Sequence, residues 1–402
     1  MGVVNTSKSE ESERSKKELC VGVIGCGMLA QMTHLPHLKE LPSVRLKWVC
    51  DINPETLEKV KNTYQAEQAT QDYHEVLNDS EVDAIVLATI QDLRKPVIEA
   101  AVRMGKAVYC EKPMAGTLKE MEEIQQIVEP SGIVFTVGHN RRSSPAMAYA
   151  RQVFQKQWTS PVPCPWRFDR NSSGRSRWPE EDQAYMVIRI NDDMLSWKPW
   201  ALGDDIMTTG PMLFEMTHFT DLACWFLKKQ PVRVTTTGHL RINQTVVIEY
   251  EDGSMVNILM TGVGTFGYPK ELYEIFCNGS AVIMDGFIEV RTAGIEGVPA
   301  RTDFSTLRDL TPAQDFGGGI RDFYAKRRWA QERAVALNDP MECLRLEPLL
   351  DKGHKLHLVH FLDAVRGIGE NPCTCGESVL ATRIAFAAIE SLKSGKTVSC
   401  HF

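Results

Sequence analysis

A doubly wound α/β sheet, followed by a second domain with a large, mostly antiparallel open sheet, is the fold class this sequence predicts. Three observations carry the prediction. The first third alternates short apolar runs with amphipathic segments. A glycine turn joins the first run to the first amphipathic segment. From about residue 160 the pattern changes to longer, alternating apolar runs joined by tight turns.

Taken in order, residues 1–19 are rich in Ser, Glu and Lys and read as a disordered tail without the apolar core of a signal peptide. Apolar runs at 20–25, 45–50, 83–89, 107–110 and 132–137 read as parallel strands. Amphipathic segments near 28–40, 55–64, 92–105 and 116–129 read as the helices between them. Beyond these come the polar segment Asn171 to Arg177, read as a long loop, and strand-like runs at 185–190, 232–237, 245–250, 255–260, 272–276, 281–284 and 287–291. Glu251-Asp252-Gly253-Ser254 is a hairpin turn. One helix, 212–227, interrupts this sheet, and two more, about 348–367 and 376–394, close the chain. The 300–320 stretch, with Gly317-Gly318-Gly319, reads as a loop. The expected division is a tail (1–19), a doubly wound domain (20–145) and a second domain holding the open sheet (146–402), whose terminal helices can return to the first domain.

The bulk numbers agree with two domains: 402 residues exceed one ordinary core. A hydrophobic share of 43% and a charged share of 24% are those of a globular chain. A net charge of −7 argues against a general nucleic-acid surface, and Lys326-Arg327-Arg328 reads as a solvated helix face. No run is long enough to cross a bilayer. The 11 scattered cysteines suit reduced thiols, so a cytoplasmic location is expected.

The sharpest signal is Val21-Gly22-Val23-Ile24-Gly25-Cys26-Gly27-Met28-Leu29-Ala30, with Asp51 ending the next apolar run. Strand, G-x-G-x-x-A, helix, strand, acid is the dinucleotide-binding fingerprint. Gly25 permits the tight turn, Gly27 admits a pyrophosphate, and Ala30 lets helix and strand pack closely. The helix N-terminus offers free N–H groups to the phosphates. A carboxylate at Asp51 accepts from ribose hydroxyls and repels a 2′-phosphate, and Ile52, Asn53 and Pro54 supply no cation for one. NAD is therefore expected over NADP. In a doubly wound sheet ligands sit at the carboxyl ends of strands, here Ala88-Thr89-Ile90, Glu111-Lys112-Pro113 and Gly138-His139-Asn140. The expected cofactor contacts are Gly25, Gly27, Met28, Leu29, Asp51, Ile52, Thr89, Ile90, Glu111, Lys112 and Asn140.

Lys112 ends an apolar strand, where an ammonium can stabilise a developing alkoxide. Pro113 fixes the backbone after it, in cis or trans. A surface glutamate–lysine pair is the competing reading. Glu215 and His218 stand three apart, on one helical face, with Asp221 a turn further. A histidine between carboxylates can shuttle a proton; a satisfied core histidine is the plainer alternative. The three could also ligate a metal, but no fourth ligand stands at a recognisable spacing, and no metal is expected. His354, His357 and His360 read as structural or surface residues, and Cys373 with Cys375 lacks a partner pair at zinc spacing. Trp197, Trp200, Arg189, Asp192 and Asp193 precede the Glu215–His218 helix and would suit a sugar ring, with Asp193 and Trp197 as substrate contacts; tryptophans packed in a core are the plainer alternative.

Gly25 to Ala30, Asp51, Glu111-Lys112-Pro113 and His218-Phe219-Thr220-Asp221 occur in the order and spacing of the glucose–fructose oxidoreductase / inositol dehydrogenase (Gfo/Idh/MocA) family, which the chain resembles over nearly its whole length after the tail. His360 to Gly367 resembles that family's closing helix. The resemblance implies a Rossmann domain, an α/β domain whose open sheet often builds a dimer or tetramer, and oxidation or reduction of a sugar, cyclitol or related compound with NAD(P). It maps the family lysine onto Lys112 and the family histidine onto His218, and places Glu111 near the nicotinamide ribose. The chain departs from the pattern in three places. Phe214 stands where many members have a helical Asp, with Glu215 one residue nearer as a substitute. Ile90-Gln91 replaces Pro-Asn, and the histidine usual shortly afterwards is absent. The 170–184 loop is long, which would suit a glycoside.

The expectation is an NAD-dependent dehydrogenase of a sugar, cyclitol or glycoside, with Lys112 on the reacting oxygen, His218 as proton shuttle and Glu215 assisting. Two alternatives stand beside it. One is a glycoside-cleaving enzyme that uses tightly bound NAD transiently, by oxidation and elimination. The other is a dinucleotide or sugar sensor without chemistry.

Overall fold

The computed structural model describes residues 17–159, 183–194, 211–239, 242–265, 267–304, 319–338 and 350–400. The chain forms two compact units, one comprising the residues up to Asn140 with Gly353–Arg383, the other Arg141–Lys352 with Ile384 onward.

The first unit carries β1 (Leu19–Ile24), β2 (Val44–Cys50), β3 (Gln68–Thr70), β4 (Ala84–Leu87), β5 (Ala107–Cys110) and β6 (Phe135–Val137). They form one sheet in the order β3-β2-β1-β4-β5-β6, parallel throughout. The first strand already begins at Leu19, inside the stretch read as tail, and Leu19 is fully buried. Strand β3 and the helix Tyr73–Asn78, of 3 and 6 residues, are too short to show a period in the sequence. Both sheet faces are covered, which is why β1, β4 and β5 read as unbroken apolar runs. One face packs Ile24, Ile85, Leu87 and Val108 against Val97, Ile98 and Ala101 of the helix Arg94–Arg103. The other packs Val21, Val23, Val86 and Tyr109 against Leu35, Leu57 and Val60, and against Leu358, Phe361 and Leu362 of the helix His354–Arg366. The order reverses between β1 and β4, the position where doubly wound sheets open a ligand crevice at their carboxyl ends.

The second unit carries β7 (Ala184–Asn191), β8 (Pro231–Gly238), β9 (Gln244–Tyr250), β10 (Met255–Thr261), β11 (Glu271–Cys277), β12 (Ser280–Asp285), β13 (Glu289–Ala293), β14 (Arg301–Asp303) and β15 (Val398–Ser399). Their order is β14-β13-β12-β11-β7-β10-β9-β8-β15. Neighbours pair antiparallel except β7 with β10, because β7 enters the middle of the sheet away from its sequence neighbours. Burial alternates along β9, β11 and β12, so one face is covered and the other is partly open. Two helices escape the sequence reading. Pro145–Thr159 buries Ala146, Met147, Ala150, Val153 and Phe154 at helical spacing that the sequence reading passes over, whereas Gly319–Leu337 is polar enough to blur its period, with only Phe323, Ala330 and Ala334 buried. Lys326-Arg327-Arg328 lies on that second helix. The 170–177 loop, Trp197 and Trp200 lie outside the described residues. Among the described residues no helix is long and apolar enough to cross a membrane, and the cysteines are buried and form no disulfide.

Candidate functional site

The glycine loop is shaped by its neighbours. Gly25 has φ +90°, and a Cβ there would sit 2.7 Å from the backbone of Ala88 and Thr89, so only glycine lets the loop lie against the end of β4. Gly27 differs: a Cβ there would meet nothing within 4 Å. The open space lies where the fingerprint places a pyrophosphate. Asp51 clamps the loop to the end of β2. Its Oδ2 accepts from Cys26 N at 2.8 Å and its Oδ1 from Asn53 N at 2.9 Å. Asn53 in turn caps the helix Pro54–Tyr64 by accepting from Glu55 N and Thr56 N. Met28, Ile52 and Ile90 are 62%, 79% and 71% exposed, each just past the end of β1, β2 or β4. Large apolar side chains gathered at one sheet edge offer surface to flat rings. Leu29 shows 40% of its surface, and Thr89 is half-buried beside the loop. This edge fits a dinucleotide: a glycine loop that admits phosphates, a carboxylate beside it and apolar walls.

Glu111-Lys112-Pro113 follows β5, with Lys112–Pro113 in cis. Lys112 is half-buried, and Glu111 is 5% exposed. The Glu111 carboxylate turns into the protein: Oε1 meets His34 Nε2 at 2.9 Å and Oε2 accepts from Lys112 N at 3.1 Å. Burial by itself would raise the Glu111 pKa, but the hydrogen bond and charge of His34, with the charges of Lys112 and Arg94, outweigh it and hold the carboxyl at about 2. Beside the turn, the buried Arg94 donates to the carbonyls of Thr89, Glu111 and Pro113. Burial lowers its pKa, opposed by the charges of Cys110 and Glu111. Asn140, the last residue of this unit before Arg141, is 3% exposed at the start of a 3₁₀ turn. His357 Nε2 bonds to Val137 O at 2.9 Å, a structural role.

In the second unit the charges are paired. Arg141 grips Glu271 with two bonds of 2.8 Å, and Tyr273 donates its hydroxyl to Glu271 at 2.8 Å. Lys352 lies 3.3 Å from the same carboxylate. Lys270 lies 2.7 Å from Asp192 and 3.5 Å from Glu215, and Arg141 lies 3.8 Å from Glu215. Burial pushes the Glu271 pKa up, but Arg141, Lys352 and Lys270 pull it well below the carboxylate range. Burial lowers Lys270, yet Glu215, Asp192 and Glu271 raise it overall; in Lys352 burial wins and the pKa falls.

Glu215 is the N-cap of the helix Met216–Leu227, in a turn after the short helix Pro211–Phe214, and not part of a continuous helix. His218, 4% exposed, donates its backbone N–H to Glu215 O at 3.1 Å. Asp221 is held by Arg142 in a bidentate pair of 2.9 and 2.7 Å, which gives it an anchoring role. Asp193 is half-buried in an isolated bridge with Val263, whereas Asp192 beside it takes the fully buried place next to Lys270. Sequence reasoning missed His34, Arg94, Arg141, Lys270, Glu271 and Lys352 as partners. Charged residues at strand ends, such as Lys270-Glu271, were the one available signal.

Residues 19–139 match the model of the oxidoreductase family with an NAD-binding Rossmann fold. The chain is 23% identical over 395 residues to an uncharacterised oxidoreductase, YrbE, of Bacillus subtilis (strain 168), covering 95% of this chain and 97% of that one. It is 26% identical to inositol 2-dehydrogenase of Rhizobium meliloti (strain 1021), covering 81% and 93%. Among solved structures, levoglucosan dehydrogenase in complex with NADH and levoglucosan superposes with a TM-score of 0.71 at 16% identity, over 96% of this chain and 100% of that one. An apo scyllo-inositol dehydrogenase from Lactobacillus casei superposes with a TM-score of 0.67 at 16% identity, over 96% and 98%.

Proposed function

Because the chain belongs to the NAD-binding Gfo/Idh/MocA family of oxidoreductases, we propose that it is a dehydrogenase of a hydroxyl-bearing ring carbon in a sugar, cyclitol or glycoside. The observation that carries this reading is the half-buried Lys112 on a turn at the carboxyl edge of β5, in the same sheet as a glycine loop and acid suited to NAD. When bound, NAD supplies the hydride acceptor. Lys112 donates to the reacting oxygen and stabilises it as its proton leaves. His218 takes that proton, and Glu215, at the cap of the same helix, tunes its surroundings. Around Glu215 the cations Arg141, Lys270 and Lys352 are balanced by Glu271, Glu215 and Asp192. Balanced charge with many donors and acceptors suits a neutral polyol better than an ionic substrate. The names of the curated relatives, an inositol and a levoglucosan dehydrogenase among them, point the same way.

The partly open sheet face supports a homo-oligomer. Tyr185 and Phe276 pair across β7 and β11 and are 44% and 41% exposed, with Leu259 of β10 at 41% on the same face. Phe276→Glu is expected to lower the assembly state in light scattering.

The test of the activity is absorbance of reduced nicotinamide with NAD and a panel of inositols, levoglucosan, free sugars and aryl glycosides. NADH accumulating with one class, and falling at least about 100-fold in Lys112→Ala with NAD binding kept, is expected. Aglycone release without net NADH would overturn it in favour of recycled NAD, and silence with NAD bound would leave a sensor.

A further inference from the structure

We propose that Arg94 is a positioning residue for Lys112, and that the His34–Glu111 pair completes the clamp from the other side; this rests on the reading of Lys112 given above. Arg94 opens the helix Arg94–Arg103 that follows β4, and 4% of it is exposed. Its Nε and Nη2 donate to Thr89 O at 3.1 and 2.8 Å, and its Nη1 to Glu111 O at 2.5 Å and to Pro113 O. The guanidinium thus holds the carbonyl before Lys112 and the carbonyl after it, and ties both to the end of β4. Among the described residues no carboxylate forms an ion pair with it. A charge desolvated this far and met only by carbonyls is a costly way to close a loop. Only the rigid guanidinium fork presents donors in enough directions to reach three carbonyls at once.

The second hold is on the Glu111 side chain. His34 ends the π-helical turn Ala30–His34 just past the glycine loop, and its Nε2 meets Glu111 Oε1 at 2.9 Å. The other oxygen takes the Lys112 N–H at 3.1 Å. Gly138 makes room, since a Cβ there would lie 3.0 Å from Oε1. The turn is therefore fixed by Arg94 through its backbone and by His34 through Glu111, while the Lys112 side chain alone stays half-buried. Neither Arg94 nor His34, at 4% and 1% exposure, offers surface to a ligand, so both act through Lys112.

The test reads Lys112 directly, without a substrate. The whole protein and its Arg94→Met, Arg94→Gln, Arg94→Lys and His34→Gln variants are labelled with acetic anhydride well below each melting temperature. Mass spectrometry gives the rate at Lys112 relative to Lys119, whose side chain is 87% exposed in the same unit. NADH affinity is measured alongside by fluorescence. Arg94→Met is expected to change the Lys112 to Lys119 ratio at least about threefold and to weaken NADH binding, with Arg94→Lys restoring only part, because one ammonium cannot reach three carbonyls. If Arg94→Met does not fold, Arg94→Gln and His34→Gln give the same reading in milder form. A ratio equal to that of the unaltered protein in every folded variant overturns the clamp, whatever Lys112 does. Undiminished turnover in Lys112→Ala overturns the catalytic reading instead, with the clamp judged by its own labelling ratio.

Discussion

The carboxyl edge of the first sheet and the charge cluster of the second unit are both polar, and they are built in opposite ways. At the first, one lysine side chain is half-buried and most of the donors are backbone, set by Gly25, Asp51 and the turn after β5. At the second, Arg141, Glu271 and Asp192 are buried side chains, Lys270 is half-buried beside Asp192, and the charges are neutralised pairwise. At the solvent-facing positions of the first edge, Gly27 and Asp51 among them, a substitution gives up little stability; its buried Glu111 and the tightly packed Gly25 are the exceptions. A cluster of the second kind supports the fold, since removing one member strands its partner away from water.

The largest expected effect breaks the second arrangement. Glu271→Gln keeps the shape and leaves Arg141 without its bidentate carboxylate. Such a loss costs about 3–5 kcal/mol, read from urea unfolding. A cost under about 1 kcal/mol would mean that water reaches the cluster and that the contrast with the first edge is false.

Acid sharpens the contrast from within the first unit, where Glu111 is the one buried carboxylate of the edge. Its pKa, ordinarily 4.5, is held at about 2 in the folded chain. A depressed folded pKa contributes stability in full above the unfolded value, and that contribution is lost as pH falls through the folded one. Stability should therefore decline between about pH 4.5 and about 2, by a sum on the order of 3 kcal/mol for this group. Glu111→Gln should flatten that part of the pH–stability curve relative to the unaltered chain. An unchanged slope would show that His34 does not favour the ionised carboxylate.

The same contrast explains what was legible in the sequence. The glycine loop, Asp51 and the Glu111-Lys112-Pro113 turn are short contiguous strings, and each demands particular residue types at fixed spacing. The parallel strands were legible because burial on both faces writes them as continuous apolar runs. The second-unit cluster was not, because Arg141, Asp192, Glu215, Lys270 and Lys352 come from five separate places and meet only through the pairing of β7 with β11 and its flanks. Glu215 and His218 were found, but the break in the helix between Phe214 and Met216 was not, since a largely apolar stretch runs through both pieces. Arg94 hid inside an amphipathic segment as one more polar residue, although it is 4% exposed.

A smaller effect on stability separates the two loop glycines. Gly25→Ala must move the backbone of Ala88 and Thr89 while holding φ at +90°, which costs about 1–3 kcal/mol. Gly27→Ala meets open space, so the chain without ligand should change by about 1 kcal/mol or less. Its NADH affinity should nevertheless fall, because the methyl occupies room reserved for phosphate. Equal stability losses at the two positions would remove the argument that the space beside Gly27 is kept for a ligand.

The smallest expected effect concerns Asp51, which has both a structural and a discriminating part. Asp51→Asn keeps one carbonyl oxygen able to accept from Cys26 N and gives up the bond from Asn53 N, which water can replace at that exposed position, so the loop should hold and unfolding should change by about 1 kcal/mol. What it removes is the negative charge. A 2′-phosphate should then meet less repulsion, and the preference for NAD over NADP should shrink about tenfold, the equivalent of about 1.4 kcal/mol. Paired titrations of NADH and NADPH by fluorescence measure that ratio. If the ratio stays fixed while stability drops, Asp51 is a clamp for the glycine loop, and the discrimination lies in the exposed neighbours that follow it, Ile52 first among them.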